Sequence, residues 1–109
     1  MPTYTQPRSS AEIKIITEKQ EKVMPTISQF YGIIIRMFFE EHAPPHFYAQ
    51  YGEYKAAINI LSLELMEGQL PRRALNLVLD WAELHRDELL NDWDKCRLHH
   101  QPDKIKPLP

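Results

Sequence analysis

Two histidines, His42 and His46, flank the pair Pro44-Pro45. Histidines four residues apart can bind one zinc ion when they lie on a helix, but proline in a helix interior removes a hydrogen bond and clashes with the preceding turn. If the prolines run as polyproline, at about 3.1 Å per residue, the two histidines stand about 12 Å apart. One ion could then bind both only across a sharp bend, such as one at a cis proline. The segment is therefore predicted to be a sheet corner, with no metal site and no cofactor.

A second chemistry that these residue types allow is phosphodiester cleavage without a metal ion. It needs a base, a proton donor and cations that hold the phosphate. The candidate catalytic residues are His46, Tyr48, Arg36 and Lys55. Glu40 and Glu53 offset much of the positive charge, and such residues commonly occupy a solvated face. The catalytic interpretation and that of an ordinary solvated face both stay open at this point.

The elements that would position these side chains are predicted to be β-strands. Residues 27–40, ISQFYGIIIRMFFE, are rich in Ile, Phe and Tyr, and Ile33, Ile35, Met37 and Phe39 form one apolar face. The segments HFYAQY and YKAAINI meet across Gly52-Glu53, which suits a type II′ hairpin turn.

That turn predicts a register. The expected pairs are Tyr51–Tyr54, Ala49–Ala56, Phe47–Ile58, Gln50–Lys55, Tyr48–Ala57 and His46–Asn59. Across a loop at residues 41–45, the preceding strand is expected to pair Phe39–Phe47, Met37–Ala49 and Ile35–Tyr51. The face away from the core, here called the outer face, then carries Arg36, Phe38, Glu40, His46, Tyr48, Gln50, Lys55 and Asn59.

A helical pattern follows a further short strand expected around residues 61–66. Pro71 suits a first helical position, and an apolar stripe runs through Leu75, Val78, Ala82, His85, Leu89, Trp93 and Cys96. A helix of roughly 25 residues is long, so a kink is expected near Arg86 or Asn91. The predicted fold class is α+β: an antiparallel meander of three to four strands, packed on one face by a long C-terminal helix. Near the C-terminus, residues 104–108, KIKPL, are a possible edge strand.

The predicted partner-binding residues of this helix are Trp81, Leu84 and Leu77 on one flank, and Arg72 and Arg73 at its first turn. The sheet is not expected to cover the flank fully, so it is a protein-protein surface unless the N-terminal residues cover it. The two arginines stand at a helix start, where the helix dipole favours acids, so they are candidates for an anionic partner. A solvated arginine pair is the alternative. His85, within the apolar stripe, is expected to be a core or boundary histidine that is hydrogen-bonded to the backbone and is not a ligand.

Composition limits the wider possibilities. With 109 residues, the chain is expected to form one domain at residues 24–109, preceded by a polar, loosely attached extension at residues 1–23. A net charge of -2 provides no general attraction to nucleic acid or anionic lipid, so RNA binding would need a local patch. The single cysteine, Cys96, excludes an internal disulfide, and no segment is apolar over the roughly 20 residues of a membrane span. A cytoplasmic location is predicted.

The sequence MPTISQFYGIIIRMFFEEHAPPHFYAQYGEYKAAINI, followed by LPRRALNLVLDWAELHRDELLNDW, resembles small bacterial proteins of domain-of-unknown-function family 4160. The likeness covers residues 24–108. The family pattern H-x-P-P-H-F-H maps onto residues 42–48, with Tyr48 in place of the third histidine, which weakens a metal or proton-relay role. The histidine of the family's helical W-x-x-x-H maps to His85.

The resemblance implies no activity. It implies genes that often lie beside another small protein, in an arrangement similar to toxin-antitoxin pairs. The predicted function is a protein-interaction component of such a two-protein regulatory module, whose partner is a small protein encoded by a neighbouring gene. The alternative is a metal-independent, ribonuclease-like toxin that acts through the outer face.

Overall fold

The computed structural model describes residues 24–39 and 41–109. Five strands form one antiparallel sheet in chain order, and two helices follow. The elements are β1 (Thr26–Phe30), β2 (Ile33–Arg36), β3 (His46–Tyr51), β4 (Tyr54–Asn59), β5 (Leu65–Gly68), α1 (Arg72–Leu84) and α2 (Arg86–Arg97). The α+β meander is confirmed, with five strands instead of three to four and two helices instead of one. The predicted extension lies outside the described residues.

A turn at Tyr31-Gly32 divides the predicted first strand into β1 and β2. Both residues have positive φ, 49° and 81°, as a type I′ hairpin turn requires. Glycine accepts this conformation without a steric penalty, whereas tyrosine adopts it rarely. The turn was missed because its first residue carries no turn signal.

The β3–β4 hairpin has the predicted register in all six pairs, and Gly52 has the positive φ, 59°, of a type II′ first position. The register predicted between β2 and β3 is wrong by two residues, because Ile35 pairs with Ala49 and Ile33 with Tyr51. The cause is a longer connection: β2 ends at Arg36, so the loop begins at residue 37 and not at residue 41. A shift of two residues keeps the side chains of β2 on their predicted faces.

The strand predicted around residues 61–66 begins later, at Leu65. A turn precedes it, in which the Asn59 Oδ1 accepts the backbone N–H groups of Leu61 and Ser62 at 2.8 and 3.0 Å. Gly68 is the last residue of this strand.

The single long helix is interrupted at His85, whose φ of -120° and ψ of 27° are not helical. The break is next to Arg86, where a kink is predicted. Pro71 is the N-cap, one position before the first helical residue.

The core lies between one sheet face and the helices, and Trp81 is at its centre. Its side chain is fully buried, with ring centroids 5.4 Å from Phe30 and 5.9 Å from Phe47. The expectation that Trp81 lies on an uncovered flank is therefore wrong. The C-terminal tail, residues 98–109, contributes the covering: the Trp81 Nε1–H donates to the Lys106 carbonyl at 2.8 Å, and Ile105 is buried.

The segment KIKPL, a possible edge strand by sequence, runs beside β1. The Ile105 N–H donates to the Ile27 carbonyl at 2.8 Å, but the segment does not extend into a strand. Asp92 of α2 anchors the start of the tail, because its Oδ1 accepts the Asp103 N–H at 2.9 Å. Its Oδ2 is buried without a hydrogen-bond partner in the described part of the chain, and burial raises the pKa of this carboxyl to about 6.

We expect Gly68→Ala to destabilise the fold much more than Gly52→Ala. Both glycines have positive φ, so both alanines are strained, by about 1 kcal/mol. Of these two glycines, only Gly68 would have its added Cβ overlap the backbone, at the Lys55 carbonyl oxygen. The unfolding free energy of Gly68→Ala should therefore fall by about 3 kcal/mol. Urea unfolding followed by circular dichroism measures both losses, and equal losses would contradict the close β4–β5 approach.

We expect Asp92→Asn to remove a pH dependence of stability. The unfolded carboxyl loses its proton near pH 4 and the folded one near pH 6, so the unfolding free energy falls as pH rises between these values. Relative to the asparagine variant, the wild-type protein should lose about 2 kcal/mol from pH 4 to pH 7. Asp94→Asn, an exposed change on the same helix, is the control and should keep the wild-type slope. An unchanged slope in Asp92→Asn would contradict the assignment.

Candidate binding groove on the outer sheet face

The outer face carries a groove of about 390 Å³, which is within the range of ligand sites, about 300 to 1,000 Å³. Its apolar lining includes Ile34, Phe38 and Ala57. Its polar lining includes Arg36, Tyr48, Gln50, Lys55 and Glu67. The groove is therefore an apolar depression with charges of both signs around it.

Strand register brings these side chains together. Arg36 of β2 pairs with Tyr48 of β3, and Tyr48 pairs with Ala57 of β4. Ala57 also pairs with Glu67 of β5, so the smallest side chain of the row lies between two larger ones. The alternation of β-strands places all four on one face, and Ala57 leaves the depression between its neighbours.

Three of the four candidate catalytic residues, Arg36, Tyr48 and Lys55, line this groove. Arg36 donates from Nη1 to the Gln50 Oε1 at 3.2 Å, and Lys55 is exposed. Glu40, also predicted on this face, lies outside the described residues. The outer face thus presents two cations and a phenol beside one apolar depression.

His46 does not line the groove with them. The residue is only 6% exposed, and its ring packs against Trp93 of α2 with centroids 5.1 Å apart, so the expectation that it points away from the helices is wrong. Both ring nitrogens are engaged: Nδ1 lies 2.7 Å from the Pro44 carbonyl, and Nε2 lies 3.0 Å from the Glu41 Oε1. Since a carbonyl oxygen only accepts hydrogen bonds, Nδ1 carries a hydrogen and donates a hydrogen bond to the Pro44 carbonyl.

Glu41 is the site residue that sequence reasoning missed. Its Oε1 also accepts a hydrogen bond from the Tyr48 hydroxyl at 3.3 Å. Burial first, and then the nearby Glu41 charge, raises the pKa of Tyr48 to about 12. The phenol therefore stays protonated at neutral pH and acts as a donor. The available signal was a carboxylate five residues before His46. Because Glu41 lies in a loop, the alternation of strand residues does not predict which face of the sheet its side chain is on.

The two histidines of the proline segment have different surroundings. The Ala43–Pro44 peptide bond is cis, which is the exception that the sequence argument named beside a polyproline path. His42 is exposed, whereas His46 is buried and bonded to Pro44 and Glu41. Within residues 24–39 and 41–109, no group of three or more His, Cys, Asp or Glu side chains is placed to hold a metal ion.

His85 lies at the boundary of the core. Its Nδ1 is 2.5 Å from the Glu88 Oε1, and its ring centroid is 5.6 Å from that of Trp81. It is hydrogen-bonded as expected, but to a side chain and not to the backbone.

The five predicted partner-binding residues do not form one surface. Trp81 is buried, and Leu84 is 68% exposed. Arg73 and Leu77 line a second depression, of about 330 Å³, together with Tyr31 and Tyr51 at the hairpin tips. Arg72 is exposed outside that lining.

None of the described helices is both long and apolar enough to cross a membrane. No curated protein and no solved structure matches this sequence. A family model described as "Domain of unknown function (DUF4160)" matches residues 32–94. The match begins later and ends earlier than the expected residues 24–108, but it spans β2 to β5, α1 and most of α2. Because more than half of the chain matches, the protein belongs to the family of domain of unknown function DUF4160.

Proposed function

We propose that the protein is an interaction component of a two-protein regulatory module of the toxin-antitoxin type, and that the outer-face groove receives its partner. The observation that carries the proposal is the groove itself, an apolar depression rimmed by charge on the face opposite the helices. The partner is a small protein encoded by a neighbouring gene, and the module acts in the bacterial cytoplasm.

The composition of the groove supports a protein partner. Protein-protein interfaces have an apolar centre and a polar rim, and aromatic residues and arginine contribute much of their binding energy. Phe38 and Tyr48 stack edge to face, with centroids 4.7 Å apart, and Arg36 lies beside Tyr48. An apolar side chain of the partner would contact this aromatic pair, with its polar groups directed to Arg36 and Lys55.

The helix side of the molecule gives less support for a partner-binding surface. Leu84 is highly exposed, but single exposed apolar residues are common on protein surfaces and do not mark an interface. Trp81, which would have been the anchor there, is fully buried.

The groove also favours binding over proton-transfer chemistry. A general base needs a free lone pair within reach of the substrate. His46 has both ring nitrogens engaged and is buried, and the Tyr48 phenol is protonated at neutral pH. The groove presents a partner with apolar surface, the hydrogen-bond donors of Arg36, Tyr48 and Lys55, and the acceptor carboxylate of Glu67.

We expect Lys55→Glu to weaken the complex with the neighbouring gene's product at least tenfold, because it reverses a charge at the groove. Lys106→Glu, an equal charge change at an exposed tail residue, should alter the dissociation constant less than twofold. Isothermal titration of the co-purified partner measures both. If Leu84→Glu abolishes binding and Lys55→Glu does not, the partner surface is on the helix side; if the wild-type protein binds no neighbour, the proposed function is wrong.

The ribonuclease-like hypothesis is favoured by one observation, that Arg36, Tyr48 and Lys55 line the same groove. It predicts that the protein expressed alone inhibits growth and that Tyr48→Phe relieves the inhibition, since only the phenol hydroxyl is lost. His46→Ala should do the same, but it also removes a ring packed on Trp93, so its fold must be checked by circular dichroism. A parent protein without growth inhibition, or a Tyr48→Phe variant that inhibits equally, would exclude this use of the groove.

A further inference from the structure

The two edges of the sheet differ. At β1, the tail covers the edge through the Ile105–Ile27 backbone hydrogen bond and through Lys104, whose Nζ donates to the Thr26 carbonyl at 2.8 Å. At β5, all four residues are exposed, and no strand of the described chain pairs with its free edge. The β5 edge therefore presents backbone donors and acceptors that another strand could use.

Exposed apolar side chains accompany this edge. Leu65 and Met66 are 45% and 42% exposed, and Leu61 in the preceding turn is 56% exposed. Proteins usually protect a free edge with charged side chains or a covering segment, and a row of exposed apolar residues along it marks binding by strand addition.

The charges along the edge distinguish between possible occupants. Residues 59–71 include Glu64 and Glu67 and contain neither lysine nor arginine. Two copies of the chain paired through β5 would bring four carboxylates into a stretch of about four residues. Like charges on paired strands are destabilising, so the same residues that oppose self-pairing favour a basic partner strand.

The register indicates where each kind of partner side chain would lie. Glu67 pairs with Ala57 and faces the groove, whereas Leu65 pairs with Ile58 and faces the helix side, with Met66 as the extra residue of a bulge. An added strand would therefore have a basic residue towards Glu67 and, next to it in sequence, an aliphatic residue towards Leu65.

We propose that β5 binds an extended segment of the partner protein in which basic and aliphatic residues alternate, and that the segment adds a sixth strand beside the groove. The proposal rests on the proposed function, because it assumes a protein partner, and it identifies the chemistry of the partner's contacting segment.

The test uses two capped heptapeptides, one of alternating valine and lysine and one of alternating valine and glutamate. By NMR of the full-length protein, the lysine peptide should bind at least tenfold more tightly and slow amide exchange in β5, and Glu64→Lys combined with Glu67→Lys should reverse the preference. Equal binding of the two peptides, or changes only outside β5, would overturn the proposal. Protection of β5 that depends on protein concentration without peptide would identify a second copy as the occupant and would also overturn it.

Two variants separate this proposal from the proposed function. Glu64 is exposed and does not line the groove, whereas Lys55 does. In the complex with the neighbouring gene's product, both Glu64→Lys and Lys55→Glu should weaken binding tenfold or more. If Lys55→Glu alone weakens it, the edge inference fails and the proposed function stands.

Discussion

The buried indole of Trp81 connects parts of the chain that are far apart in sequence. Its ring contacts Phe30 of β1 and Phe47 of β3, and its N–H donates to the Lys106 carbonyl of the tail. A buried indole needs an acceptor for its N–H, and the tail supplies one. Helix α1 and the C-terminal tail are thereby held against one face of the sheet, and the groove is on the opposite face.

The corner at residues 41–46 joins the two faces. His46 contacts Trp93 of α2 with its ring and Glu41 with its Nε2, and Glu41 also accepts from Tyr48 at the groove. The orientation of Tyr48 therefore depends on a histidine that packs against the helix layer. This connection gives His46 a structural role even though it has no place in the groove lining.

Sequence reasoning succeeded where local chemistry decides the structure. Gly52-Glu53 is a recognisable turn, and from it the six β3–β4 pairs and the outer-face positions of Tyr48 and Lys55 follow by alternation. It failed where the deciding contact is distant or the turn residue unusual. Tyr31 begins a turn without a turn signal, and the covering of Trp81 depends on Lys106, 25 residues away.

The charges of the groove and the β5 edge are arranged asymmetrically across the sheet. Arg36 and Lys55 contribute positive charge from β2 and β4, whereas Glu67 contributes negative charge from β5. A partner that crosses this surface would meet cations towards the middle of the sheet and carboxylates at its edge. Complementary charges of both signs select an orientation as well as a partner, because the reversed arrangement brings like charges together. A short, bulged and acidic edge can thus remain unpaired with its own copies and still accept a basic strand.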